Sequence, residues 1–506
     1  MMRWETRSGS VHLSAMSADA ALLAARYNEL IVAHRAGRAG TAMALARDLL
    51  GVAPNHLPTL KVFAQLARQA GDSAAALDAL KRALEASPDD ATLYAEVAGV
   101  MVELGAPDAA LDAFNVAVEK DPHAHGARAN RANLLARMHR LDDAIAEYVQ
   151  LERMAPDHIA TIANHATILE VAGRASEAAR AVARALELAP GDVAIQTLAA
   201  RMERGVGQGS KALGRMRRVV DESNEPSVAM LQELGHCADH ADEFAEAARA
   251  YRRANRLRRR AVRHVASPNQ VLAQLRGWET GLRKRSESAL AVVETTGPVA
   301  SRPVVVVGFP YAGTHVTADL LRSDSSIELS VDRSALRDSA ARLIASGWQP
   351  LDPLPPTERK LLDARPRSAT RVEVVTLVER YLPVLYAMSP DARYVRITRS
   401  RADVLLGCLT TTFSEPALEA LCAAPTELAE AYLVAERVWQ CFVEVCRPAV
   451  LDVSYEALLE QDSSTLGVLA EFCGLGDLTP GTKVLGYEHR VAVGRGERYA
   501  ERMGFA

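Results

Sequence analysis

Arg302-Pro-Val-Val-Val-Val-Gly-Phe-Pro-Tyr-Ala-Gly-Thr-His315 decides how this chain divides, because here an apolar run breaks into a glycine-bounded turn and then into the helical pattern Val316–Leu321. Four consecutive valines, Val304 to Val307, read as a strand covered on both faces, as in parallel sheets. Gly308 and Gly313 permit a turn tight enough for backbone N–H groups to converge on an anion at the start of the next helix. The same residues also suit an ordinary first strand and turn of an α/β domain. Downstream, Arg371–Thr376, Tyr394–Thr398 and Val450–Tyr455 are strand-like, and Glu427–Arg447 carries an apolar helical stripe through Leu428, Tyr432, Ala435, Trp439, Phe442 and Cys446. Strands alternating with helices imply a three-layer α/β domain with a parallel sheet, over residues 301–506.

Upstream, the pattern is a repeat. Prolines recur at Pro54, Pro88, Pro122, Pro156 and Pro190, a step of 34 residues, and Ala42, Ala76, Ala110, Ala144, Ala178 and Ala212 keep the same step. So do Ala64, Ala98, Ala132, Ala166 and Ala200, and the turn glycines Gly37, Gly71, Gly105, Gly173 and Gly207, with His139 in the fourth turn. Small residues at two fixed positions let paired helices approach, glycine opens the turn between them, and proline ends the second helix. The pattern resembles the tetratricopeptide (TPR) repeat over residues 23–258, in about seven units, the last shifted by one residue with Gly235, Ala247 and Ala254 in the small-residue slots. That resemblance implies an all-α superhelix whose groove holds an extended peptide or a partner protein. Asn130 and Asn164 fall where some TPR proteins grip a peptide backbone through side-chain amides, which donate and accept at once. Two polar residues on a solvated helix face would read the same, and Glu96 and Leu198 interrupt the series on either side.

At 506 residues and 49% hydrophobic the chain exceeds a single core, and a net charge of −4 gives no global argument for a nucleic-acid partner. The six cysteines, Cys237, Cys408, Cys422, Cys441, Cys446 and Cys473, lack C-x-x-C spacing, so no metal site is expected and the thiols suit a reducing compartment. Residues 1–22 lack the apolar core of a secretory signal and read as a frayed leader. No stretch approaches the roughly 20 apolar residues of a membrane span. A cytoplasmic chain without membrane contact is the expectation. Arg252, Arg253, Arg256, Arg258, Arg259, Arg260 and Arg263 have no interleaved aromatics and read as the solvated face of the last repeat helix, or as a surface docked on an acidic neighbour; no nucleic acid is expected. Residues 259–300, helical through Trp278 and Leu282, read as a connector.

Three stretches of the second half resemble the PAPS-dependent sulfotransferases (PAPS being 3′-phosphoadenosine 5′-phosphosulfate), in particular bacterial proteins that fuse TPR repeats to such a domain. Val307-Gly-Phe-Pro-Tyr-Ala-Gly-Thr-His315 is similar to the 5′-phosphosulfate loop, usually G-x-P-R-S-G-T-T. Asp391-Ala-Arg-Tyr-Val-Arg-Ile-Thr-Arg399 with Ala402-Asp-Val404 is similar to the strand and helix start that hold the 3′-phosphate. Val453-Ser-Tyr-Glu-Ala-Leu-Leu459 and Leu469-Ala-Glu-Phe-Cys-Gly-Leu475 are similar to the Y-E-D-L segment and the following helix end. The resemblance implies a P-loop-like sulfotransferase fold. In it Gly308, Pro310, Gly313 and Thr314 cradle the 5′-phosphate, Arg399 pairs with the 3′-phosphate, Asp332 serves as base and His315 stands at the reacting end. The departures are Tyr311 for the loop arginine, Ala312 for the serine, His315 for the second threonine and Gly407 for the serine after the 3′-phosphate arginine. Each removes a donor, and His315, Arg322, Arg401, Arg490 and Arg495 are the cations that could replace them. The implied function is sulfuryl transfer from PAPS to a hydroxyl of a protein or peptide recruited by the array. The alternative is a non-catalytic scaffold on the same fold. A kinase-type loop is disfavoured because no G-K-[ST] follows Pro310.

Overall fold

The computed structural model describes residues 8–286, 303–321, 327–331, 370–376, 382, 386, 391–476, 478 and 493–505. The chain forms two compact units, Met1–Ala172 and Gly173–Ala506.

The first unit is helical: α1 Ser8–Arg35, α2 Ala39–Val52, α3 Leu57–Gln69, α4 Ser73–Ala86, α5 Ala91–Glu103, α6 Pro107–Lys120, α7 His125–Arg137, α8 Leu141–Met154 and α9 Ile159–Val171. Helix α1 begins inside the stretch expected to be a frayed leader. Ala42, Ala76, Ala110 and Ala144 have no exposed surface, because any larger side chain there would hold the paired helices apart. Gly37, Gly71 and Gly105 turn the chain at φ of 69°, 79° and 75°, and His139 takes the same left-handed conformation at 60° in the fourth turn. Asp72 and Asp90 cap α4 and α5 by accepting from Ala75 N and Thr92 N.

The second unit continues the helices with α10 Ala175–Leu188, α11 Val193–Gly205, α12 Gly209–Asp221, α13 Val228–His240, α14 Phe244–Val262 and α15 Pro268–Ser286. Gly235 occupies the small slot of the shifted seventh pair: a Cβ there would lie 2.3 Å from the Tyr251 ring. A sheet of five parallel strands follows, in the order β2-β3-β1-β4-β5, with β1 Val304–Gly308, β2 Ile327–Val331, β3 Thr370–Thr376, β4 Arg393–Thr398 and β5 Ala449–Ser454. Strand β1 is central, with Val306 between Val374 and Val395, and all five of its residues are buried.

Alternation along β1 sends its valines to opposite layers. Val304 and Val306 pack with helix α16 (Thr314–Leu321) and with Leu466 and Leu469 of α20 (Ser463–Cys473). Val305 and Val307 join a core with helix α17 (Arg401–Thr410) and α19 (Pro425–Cys446). That second core runs without a break into Ala247, Tyr251 and Ala254 of α14 and Val271, Leu272, Leu275 and Trp278 of α15. The stretch read as a connector therefore contains a core helix, α15, which packs along α19.

The solvated reading of the arginine run fails at Arg258. Its side chain is 1% exposed and its guanidinium holds both carboxylate oxygens of Glu419, at 2.7 Å each, on helix α18 (Pro416–Cys422). It also donates to Asn255 Oδ1 and to the carbonyl of Leu409, while Phe413 N–H donates to Glu419. Arg258 lies four, seven and eleven positions after Ala254, Tyr251 and Ala247 on the buried face of α14, which is why it turns inward while the other arginines do not.

Candidate functional site

In an open parallel sheet, ligands bind beyond the carboxyl ends of the strands, where the strand order reverses. Here the chain leaves β1 toward β2 and β3 on one side and crosses to β4 on the other, so the crevice lies between the turn after β1 and the residues after β4. Gly308, Pro310, Gly313 and Thr314 are together in that turn, and Arg399 reaches it from the end of β4, donating to the carbonyl of Tyr311 at 3.2 Å. His315 is exposed in the first turn of α16. Asp332 lies outside the described residues, as do Arg322 and Arg490.

The turn is drawn close on every side. A Cβ at Gly308 would meet Ile397 O at 3.2 Å, and one at Gly313, where φ is 110°, would lie 2.3 Å from the Tyr455 ring. Backbone bonds from Ala312 N to Phe309 O and from Val316 N to Gly313 O close the turn onto the helix. Tyr311, which stands where the resemblance to sulfotransferases implies an arginine, is left-handed at φ 68°. Its ring lies against Gly407: a Cβ at that glycine would sit 2.6 Å from Tyr311 Cγ and Cδ1. Its hydroxyl donates to Thr411 and its ring lies nearly perpendicular to that of Phe413, with centroids 6.3 Å apart. Cys408 Sγ completes the seam by donating to Pro310 O. Two departures that read as separate losses, Tyr311 and Gly407, are thus one contact, in which the missing side chain makes room for the larger one.

Arg399 is committed in the same way. Its side chain is 4% exposed, it stacks 4.2 Å above the Tyr455 ring, and its Nε lies 4.0 Å from Asp403 Oδ2. Asp403 is fully buried on α17 and accepts from Gly494 N at 2.8 Å and Gly496 N at 2.6 Å. These two amides begin the C-terminal segment, which runs on across the last repeat pair. Arg495 donates to Asp239 and Asp242 and lies over Phe244, Tyr499 donates to Asp239 Oδ1 at 2.5 Å, and Arg252 donates to Arg502 O. Burial and the neighbouring Asp239 carboxylate push the Tyr499 phenol well above its ordinary value. Arg495, one of the expected substitute cations, therefore serves the repeat helices.

The second set of expected site residues lies in the first unit. Asn130 and Asn164 are exposed on α7 and α9. Around them is a polar band: Arg131 donates to Asn115 and pairs with Glu147, Arg128 pairs with Glu147 at 3.1 Å, and Tyr148 donates to Asn133 Oδ1 at 2.6 Å. Burial pushes the Tyr148 phenol up to about 12, and the amides of Asn164 and Asn133 beside it act in the opposite direction. His165 stacks on Tyr148 and bonds Glu152 at 2.6 Å. Among the described residues, no three His, Cys, Asp or Glu side chains cluster as metal ligands, and no helix is long and apolar enough to cross a membrane.

Residues 62–125 match the tetratricopeptide repeat family, so the chain carries TPR repeats. Several solved structures are similar. A tetratricopeptide repeat protein from Parabacteroides merdae ATCC 43184 is 18% identical with a TM-score of 0.41, covering 46% of this chain and 91% of that one. PilW, a widely conserved type IV pilus biogenesis factor, is 16% identical with a TM-score of 0.37, covering 42% and 96%. YrrB, a TPR protein with an unusual peptide-binding site, is 19% identical with a TM-score of 0.30, covering 34% and 88%. No curated protein matches the chain.

Proposed function

We propose that this protein is an interaction scaffold. Its TPR array takes a peptide segment of a partner protein, with Asn130 and Asn164 holding the peptide backbone, and its α/β domain supports assembly without turning over a nucleotide. The observation that carries this reading is the crevice filled from within. The Tyr311 ring lies on Gly407, and the Arg399 guanidinium is shared among Tyr311 O, Tyr455 and Asp403.

The competing reading, sulfuryl transfer from PAPS, has its own support: the glycine turn of β1 and the arginine of β4 meet at the switch point of the sheet. The residues present do not fit the 3′-phosphate, however. A guanidinium that is 4% exposed and faces a buried carboxylate offers little to a second anion, and no serine stands at Gly407.

The array is tested by selecting a peptide from a random displayed library against the full chain. Asn130→Ala and Asn164→Ala should each weaken the selected peptide about 3- to 10-fold, the equivalent of one or two neutral hydrogen bonds. A selected peptide indifferent to both changes would place the binding surface elsewhere. The domain is tested by incubating the chain with radiolabelled PAPS and a cell extract. The account expects no labelled acceptor, and a labelled product that vanishes with Arg399→Ala would restore the transferase reading.

A further inference from the structure

Helix α14 presents an arginine face that, apart from the bond from Arg252 to Arg502 O, makes no hydrogen bond or ion pair with the repeat helices or the α/β layers among the described residues. At about 100° per residue, Arg249, Arg252, Arg253, Arg256, Arg259, Arg260 and Arg263 fall within an arc of about 120°. Every residue from 249 to 263 in that arc is an arginine, and all seven are exposed. Arg258 is on the opposite, buried face. Among the described residues none of the seven forms an ion pair. Arg252 donates to Arg502 O and Arg263 to the His264 ring, and nothing anionic neutralises either. Several arginines on neighbouring helices of the same unit are paired: Arg204 with Glu233, Arg215 with Glu203 and Arg217 with Glu246.

Like charges three and four apart on one helix lower its stability. The stripe therefore works against the fold that carries it, which an idle solvated face has no need to do. From Arg249 to Arg263 it is about 21 Å long at 1.5 Å per residue.

From this stripe we infer a docking surface for the phosphate backbone of a nucleic-acid duplex. The chemistry selects this occupant in three ways. Guanidinium forks match phosphate oxygens in pairs, and the stripe contains arginine alone. A duplex carries one phosphate about every 1.7 Å of its axis, both strands counted, a dense anionic surface against which a stripe about 21 Å long can set several guanidinium groups at once. A protein partner would need apolar or aromatic anchors at the centre of the contact, and the arc holds none. Single strands are disfavoured because there is no aromatic side chain for bases to stack on. Such contacts neutralise phosphates without reading bases, so binding should be insensitive to sequence and steeply dependent on salt.

The test is fluorescence anisotropy of the full chain with a labelled mixed-sequence duplex of about 20 base pairs, from about 50 to 200 mM salt. The parent should bind at low salt and lose affinity by at least about 100-fold across that range. Arg256→Glu combined with Arg259→Glu should weaken binding at least about 10-fold and flatten the salt slope by about 2, with a melting temperature no lower than the parent's because both side chains are exposed and the reversal relieves repulsion along the stripe. The inference is overturned if the duplex does not bind at the lowest salt, or if the double variant binds like the parent. It is equally overturned if poly-glutamate or anionic vesicles bind the full chain more tightly than the duplex at equal charge concentration, which would assign the stripe to an acidic protein or a membrane surface.

Discussion

Tyr311 holds a left-handed backbone that costs an L-residue about 1–2 kcal/mol, and its ring occupies the space that Gly407 leaves. The two positions should therefore be coupled. Gly407→Ser puts a Cβ into the ring and should destabilise the domain by about 1–3 kcal/mol in urea denaturation. The same change in a Tyr311→Gly background should cost at least 1 kcal/mol less, a coupling of about the size seen between touching residues. Equal costs in the two backgrounds would show that the contact is loose. This pair was not legible in the sequence, because nothing in one chain ties residue 311 to residue 407. The turn itself was legible, since valines and glycines specify a strand and a bend locally. A second residue-scale effect concerns pH. Burial, assisted by the nearby Arg204 cation, holds His240 below the ordinary histidine range. The unfolded chain then binds this proton more readily than the folded one, so stability present above the ordinary value is lost as pH falls below it. His240→Gln should flatten the melting temperature against pH between 7 and 5, by differential scanning calorimetry; an unchanged slope would assign the acid sensitivity to other groups.

At the scale of elements, the buried pair between α14 and α18 should matter more than any surface bridge. Removing one partner leaves an unpaired buried charge, so Arg258→Met should cost about 3–5 kcal/mol. Arg258→Met with Glu419→Leu should cost less than Arg258→Met alone, with a remainder of about 1–3 kcal/mol from Phe413 N–H, which loses its acceptor. A double variant worse than the single one would contradict this account of the contact. The 34-residue step made the helix pairs readable because each pair is specified within its own repeat. The inward turn of Arg258 had a signal as well: it shares the helical phase of Ala247 and Ala254, whereas its charge placed it with its exposed neighbours. What no local pattern carried was the acceptor, since Glu419 is 161 residues further along the chain.

For the whole molecule, the change of periodicity near Pro303 suggests a domain boundary that the packing crosses. The core beneath β1 includes Tyr251 of α14 and Val271, Leu272 and Leu275 of α15, and the C-terminal segment ties Asp403 to Asp239. A fragment of residues 301–506 would bare that apolar surface, so it should be insoluble or lack a cooperative thermal transition, whereas residues 173–506 should melt cooperatively. A cooperative transition in the shorter fragment would show that the α/β layers fold without the repeats. The α/β class was legible because strands and helices alternate, and the array because it repeats; the sharing of one core by α14, α15 and the α/β layers depends on contacts between distant segments. The central claim, that the crevice is filled by the chain's own residues, is tested most directly by calorimetric titration of 3′-phosphoadenosine 5′-phosphate into the full chain at millimolar concentration. The account predicts no heat of binding, and a saturable isotherm with a dissociation constant in the micromolar range would contradict it.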